Sequence, residues 1–412
     1  MRVALLSLME PVAGEPQGLR GYLSIGGRSL ARHQLGLALA FGCARVAVLA
    51  EALTGELVEL QHIAENAGAR FHVIASQRAL VPLVSAEDEL IVLADGLLAM
   101  PTDALALLGD GPAVLTLPVE TALPAGFERI DINNAHAGAM RIPGRLVAGL
   151  GELPSEWNAV SALLRIAVQG RVALKPVPAA LFDSGRWRLL RDEAEAVRAE
   201  PAWLRLHTAS AHARSPGEWL AALAVQRLGP ALLHAGTRPW LVGLAALLVA
   251  LIALGAGWSG WFGTGFVLLA LAWLLLVSGG LLARVERDSL LSRKSVLPGG
   301  GLAMLALDAA FLTLAAWRST IPSVPGVPPG LGWFAPLVLL LLLHLLPDLL
   351  PARRWTWWLR DRAVAGVALA LACFAGPFDS ALRVGVLALL VAALVVVRVR
   401  PNAPNRELTT EG

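Results

Sequence analysis

The stretch from Leu268 to Arg284 constrains this chain more than any other, because it carries no charge until its final residue. A run of Leu, Ala, Val and Trp cannot form the outer face of a water-soluble helix; it reads as the second half of a membrane span that leaves the bilayer on a cation. Gly279 and Gly280 near its end are small enough to let a second helix backbone approach in lipid. Similar runs on both sides predict six spans, at about 239–258, 261–283, 300–317, 331–350, 363–374 and 381–397.

The distribution of cations orients them. Arg284, Arg287, Arg293 and Lys294 follow the second run, Arg353, Arg354, Arg360 and Arg362 the fourth, and Arg398, Arg400 and Arg406 the sixth. The opposite loops at 259–260 and 320–330 hold no Lys or Arg. Positive charge stays on the cytoplasmic side, which predicts a multi-pass protein of the cell inner (plasma) membrane with both ends cytoplasmic. Trp355, Trp357 and Trp358 supply an interfacial belt.

Composition separates two halves. The chain of 412 residues is 56% hydrophobic and only 16% charged, yet the excess lies after about Arg238. A net charge of +3, with Arg gathered around the spans, excludes a nucleic-acid-binding class and suits contact with membrane lipid. Cys43 and Cys373 fall in different halves, which excludes a disulfide framework and a cysteine metal site. The expected organisation is a soluble α/β domain over 1–205, a linker with an interfacial amphipathic helix over 206–237, a helical membrane domain over 238–400 and a disordered tail over 401–412. The amphipathic reading rests on Trp219 and Arg227 within 215–235.

In the first half, short apolar runs at 2–8, 45–50, 70–74, 89–93 and 113–117 alternate with helical patterns at 29–41, 53–67, 77–84 and 101–108. The opening apolar run is too short for a signal peptide and reads as a first strand. Such alternation predicts a mostly parallel sheet covered on both faces. Ligands of such sheets bind beyond the carboxyl ends of the strands, so the loops after Leu8 and Leu93 are where a site is expected.

Those loops carry a resemblance. Leu23, Ile25, Gly26, Gly27, Arg28, Leu30, Gln34 and Leu35 match the Leu-Leu-Pro-Ile-Gly-Gly-Arg-Pro-Leu and Arg-Gln-Leu pattern of the sugar- and polyol-phosphate nucleotidyltransferases, whose phosphate-binding Lys falls at Arg20. The resemblance implies a nucleotide site at Arg20, Gly26, Gly27 and Arg28, with Mg²⁺ on Asp95 in Ala-Asp95-Gly96. The family's glycine-rich loop is replaced by Glu10, Pro11, Glu15 and Pro16, two carboxylates and two residues without an N–H. His136 to Pro143 resembles the family's Trp-Ala-Gly-Leu-Tyr-Arg segment on the sugar side. The run from Trp187 to Glu200 resembles its Trp-x-Asp-Val-Asp segment, with Leu189 and Arg191 in place of both aspartates and Asp183 and Asp192 as the acids nearby.

The whole architecture resembles the bifunctional inositol-phosphate cytidylyltransferase/CDP-alcohol phosphotransferase fusions. In the phosphotransferase motif, four aspartates at the end of the second span and the start of the third bind two metals. Here Gly280, Ala283 and Arg284 match, while Leu276, Gly279, Arg293, Leu297 and Gly301 fall on other motif positions. Asp308 is the acid a shifted register would recruit, with His344 and Asp348 in the fourth run. The resemblance implies CTP or CDP-alcohol as ligand, Gly280 and Arg284 as nucleotide contacts, and a homodimer through the membrane helices. Three readings follow: a membrane partner or scaffold of a polar-headgroup pathway with eroded catalytic sites; an active nucleotidyltransferase or phosphotransferase using Asp95 or Asp308; and a transporter, against which the sparse polar residues and lack of an internal repeat count.

Overall fold

The strand Arg2–Ser7 is apolar on both faces: Val3 and Leu5 enter one core, Ala4 and Leu6 the other, all without solvent exposure. Arg45–Leu49 and Glu89–Leu93 split their side chains in the same way, Val46, Val48, Ile91 and Leu93 to one side and Ala47, Leu49, Leu90 and Val92 to the other. Strands buried on both faces need helices on both, and the β-branched, period-two run is what commits them to a central position. The structure is a computed structural model that describes residues 1–154, 157–209, 215–234, 239–288, 298–319, 331–349 and 356–399.

Seven strands form one sheet in the order Leu174–Pro176, Ala113–Pro118, Asn134–Pro143, Glu89–Leu93, Arg2–Ser7, Arg45–Leu49, Arg70–Ile74. Asn134–Pro143 runs antiparallel to both neighbours, and the remaining pairs are parallel. Helix Leu30–Ala40 starts at Ser29, whose side chain accepts from the Arg32 N–H, and buries Ala31, Leu35 and Ala38 on one face. Helix Ala159–Gln169 starts at Asn158, which accepts from Val160 and Ser161, and buries Val160, Leu163 and Ala167 on the other. Each leucine so buried contributes about 1.5–3 kcal/mol. The helical pattern at 77–84 is a 3₁₀ segment, Gln77–Leu83, because Pro82 cannot donate into an α-helical ladder.

Contacts divide the chain into two compact units, the first built on Met1–Ser210 and the second including Arg238–Leu282. Helix Glu193–Ala209 runs across the boundary expected at 205, since Ala196, Ala199, Trp203 and Leu204 pack with Ile25, Leu30 and Leu190. The tail at 401–412 and the cations Arg293, Lys294, Arg353 and Arg354 lie outside the described residues.

The second unit is helical. Among the described residues, four helices are long and apolar enough to cross a membrane: Trp240–Trp258, Phe262–Val285, Gly301–Arg318 and Phe378–Val395. The fourth and fifth runs of the six expected form shorter apolar helices. The fifth run becomes Arg362–Ala375, whose 14 residues span about 21 Å at 1.5 Å each, short of a ~30 Å hydrocarbon core. The fourth lies in a helix, Leu331–Leu349, interrupted by Pro336 and Pro347, and its apolar part is Gly332–Pro347. Only 11% of Phe378–Val395 is buried within the protein, which leaves most of this apolar helix exposed. At Gly280 a Cβ would meet nothing within 4 Å among the described residues. Close helix approach occurs at Gly265 and Gly366, where a Cβ would come within 3.0 Å of the Ala253 and Phe266 carbonyls.

Candidate functional site

Asp95 follows strand Glu89–Leu93, and the turn that holds it is fastened from below. Gln34 of helix Leu30–Ala40 donates to the carbonyls of Ala94 at 2.8 Å and Leu97 at 3.0 Å. Gly96 makes the turn at φ 78°, with the Leu190 carbonyl 2.3 Å from where a Cβ would stand, so only glycine fits. Strand Trp187–Leu189 then pairs with Leu97–Ala99 and carries Leu189 to the same place.

The Asp95 carboxylate is 5% exposed and asymmetric in its partners. Oδ2 accepts from the Ser7 hydroxyl at 2.7 Å and from the N–H groups of Met9 at 3.2 Å and Glu10 at 3.1 Å. Oδ1 is buried and accepts nothing among the described residues. Burial pushes the carboxyl up to about 7; the three hydrogen bonds pull it down, and the charge of Glu10 adds to the rise.

A cavity of 300 Å³ opens beside it, lined by Glu10, Arg20, Asp95, Glu128, His136 and Leu189 among others. Glu10 accepts from Asn158 Nδ2 at 2.7 Å, and Glu128 accepts from the Ser161 hydroxyl at 2.7 Å. His136 is 2% exposed, burial lowers it to about 4, and its Nε2 has no partner among the described residues. Arg20 donates to the Pro11 carbonyl at 3.0 Å and lies 4.0 Å from Glu10. Where the resembled family has a phosphate-cradling loop, residues Pro11–Val12 and Glu15–Leu19 pair as a hairpin. The N–H groups of Ala13 and Arg20 are already spent on the Arg191 and Glu10 carbonyls.

The structure thus brings Arg20 and Asp95 to one cavity, with Glu10, His136 and Leu189 beside them, and leaves Gly26, Gly27, Arg28 and Asp183 outside its lining. Gly26 and Gly27 form the two-residue turn of hairpin Ser24–Ile25 and Arg28–Ser29, at φ 61° and 69°. That turn packs under Trp203, and the Gly26 N–H donates to Glu200 at 2.8 Å. Arg28 belongs to the same hairpin and does not line the cavity. Asp183 is exposed at the end of helix Ala179–Asp183, and does not line it either. Arg284 is exposed on helix Phe262–Asp288.

The resemblance implies Mg²⁺ at this cavity, and the residues present do not fit a two-carboxylate magnesium site. Asp95 has one oxygen without a partner among the described residues, Leu189 stands at the second position, and no three metal-ligating side chains cluster among the described residues. Glu128, Asn158 and Ser161 had no signature in the sequence. The one usable hint was Glu10, directly after the first strand.

In the helical unit, Asp308 is 3% exposed and takes 2.8 Å from Arg362 Nε, and His344 Nε2 is 3.3 Å from its second oxygen. Arg362 Nη2 in turn lies 2.6 Å from His344 Nδ1 and its Nη1 donates to the Leu359 carbonyl. Asp361 caps helix Arg362–Ala375 through the Ala363 and Val364 N–H groups and also accepts from Gly217. Asp308 is thus ion-paired to Arg362 through Oδ1, while its buried Oδ2 faces His344 and has no hydrogen-bond partner among the described residues. The side chain of Asp348 lies outside the described residues.

No protein-family model matches the sequence, and no curated relative matches it. Among solved structures, it is similar to a UDP-glucose pyrophosphorylase from Acinetobacter baumanii at 10% identity and a TM-score of 0.37, over 50% of this chain and 94% of that one. A glucose-1-phosphate thymidylyltransferase from Bacillus anthracis matches at 12% identity and 0.35, over 48% and 93%. The inositol-1-phosphate CTP transferase of T. maritima matches at 14% and 0.34, over 47% and 91%. Likeness at that level transfers neither activity nor substrate.

Proposed function

We propose that this chain is a membrane-bound protein whose Asp95 cavity binds a polar small molecule without transferring a nucleotide, serving as partner or sensor in a headgroup pathway. The observation that carries the reading is Leu189, which lines the cavity with Asp95 where the resembled transferases hold their second metal carboxylate. Nucleotidyl transfer must neutralise charge that develops on phosphate. A cavity walled by Glu10, Asp95 and Glu128 against one guanidinium, Arg20, works against that. The orientation with the sheet unit cytoplasmic, the contact with membrane lipid and the homodimer are parts of the same proposal.

A second reading, an active nucleotidyltransferase, draws on one observation: Arg20 and Asp95 do share the cavity. Calorimetric titration of the detergent-purified chain with CTP and with a CDP-alcohol, with and without Mg²⁺, separates the two. The proposal expects no Mg²⁺-dependent binding in the wild type and a gain of it in Leu189→Asp. Pyrophosphate release by the wild type on adding a polyol phosphate would sink it.

A further inference from the structure

The acidic cavity has a neighbour of the opposite sign. A groove of 760 Å³ shares its Glu128, Asn158 and Ser161 wall and is lined beyond that wall by Arg129, Trp157 and Arg165. The Arg165 guanidinium lies 4.9 Å from the centre of the Trp157 ring, which orients it without neutralising it. Arg129 donates to the Asp131 carbonyl at 2.9 Å, and the Asp131 carboxylate is taken up by Asn133 and Asn134. The inner cavity is lined by Glu10, Asp95 and Glu128 against Arg20, and two buried polar atoms of its lining residues, Asp95 Oδ1 and His136 Nε2, have no partner among the described residues. Buried polar atoms left unpaired are costly, so a ligand that satisfies them gains affinity.

We infer that the two compartments together form a site for a phosphorylated amine, with its ammonium in the Glu10–Asp95–His136 cavity and its phosphate against Arg129 and Arg165. This rests on the binding reading above and names its ligand. The ammonium brings N–H donors to an acceptor-rich wall, where a triphosphate would bring only charge of the wrong sign. The phosphate meets two guanidinium forks, the donor geometry that suits it best. The cavity of 300 Å³ takes an amino alcohol or an amino sugar, so both probes are used. A lipid headgroup and a free metabolite present the same chemistry.

The test is calorimetry on the full chain in maltoside micelles with O-phosphoethanolamine and glucosamine 6-phosphate, against ethanolamine, inorganic phosphate and phosphocholine, which has no N–H. At least one phosphorylated amine is expected to bind ten-fold or more tightly than ethanolamine, phosphate or phosphocholine. Glu10→Gln is expected to weaken the amine-bearing ligands and leave phosphate unchanged; Arg165→Gln is expected to weaken the phosphate-bearing ligands and leave ethanolamine unchanged. Neither side chain is buried, so both variants should fold. Repeating the titration in nanodiscs with and without phosphatidylethanolamine assigns the source, since the lipid headgroup would compete if it is the ligand. Binding by neither phosphorylated amine, or equal loss of every ligand in both variants, overturns the inference. Turnover of CTP with Mg²⁺ would instead overturn the binding-only reading, and the two failures are read from different titrations.

Discussion

Replacing Asp95 by Asn tests the electrostatics of the cavity most directly. Burial raises the Asp95 carboxyl from its ordinary value near 3.8 to about 7, which corresponds to a cost on the order of 4 kcal/mol once it is ionised. Because the folded-state value is raised, the stability is present below about pH 4, where both states hold the proton. It is lost as pH rises through about 7, because the unfolded chain ionises first. Asn cannot ionise, yet its carbonyl can still accept from Ser7, Met9 and Glu10, and its amide takes the place of the unpartnered Oδ1. Asp95→Asn is therefore expected to match the wild type near pH 4 and to exceed it by up to about 4 kcal/mol at pH 8. Even half of that would shift the closed-to-open ratio about 30-fold. Amide hydrogen exchange in strands Arg2–Ser7 and Glu89–Leu93 of the full chain reports it locally. A variant-minus-wild-type difference that is the same at pH 4.5 and pH 8 would refute the assignment of a strained, half-titrated carboxyl at this position.

His136 carries the opposite sign: burial lowers it to about 4, so stability present above about pH 6.5 is lost as pH falls through 4, and His136→Gln should flatten that acid limb in the same exchange experiment. In the helical unit, Arg362→Leu strands the Asp308 carboxylate among apolar side chains and is expected to cost about 3–5 kcal/mol, while the double variant Asp308→Leu/Arg362→Leu recovers most of it. Thermal unfolding in detergent reads both, and a double variant as unstable as the single one would contradict the pairing. Gly26→Ala forces a side chain into a left-handed turn already filled by Trp203, and a loss of at least about 1–2 kcal/mol in thermal stability is expected. An unchanged melting temperature would mean that the turn and Trp203 are not packed as described.

The strand positions, the two-faced burial of the sheet and the membrane character of the second half were legible in the sequence. Each is written locally: Arg2–Ser7 and Glu89–Leu93 need apolar residues on both faces, and Phe262–Val285 needs an uncharged run as long as the bilayer is thick. The Asp-Gly turn at 95–96 was visible for the same reason. Strand Asn134–Pro143 was not recognised as a strand, because its Ala and Gly residues have little intrinsic preference for one; it is held by pairing with Ala113–Pro118 and Glu89–Leu93. The site itself belongs to tertiary structure. Glu10 meets Asn158 across 148 residues, and Asp308 meets Arg362 across 54. Hydrogen bonds over such separations leave no periodicity to read, since helix and strand spacing reach only a few residues along the chain. Composition could announce that acids and arginines were present; only the folded chain sorted them into one acidic cavity and one basic groove on either side of Glu128.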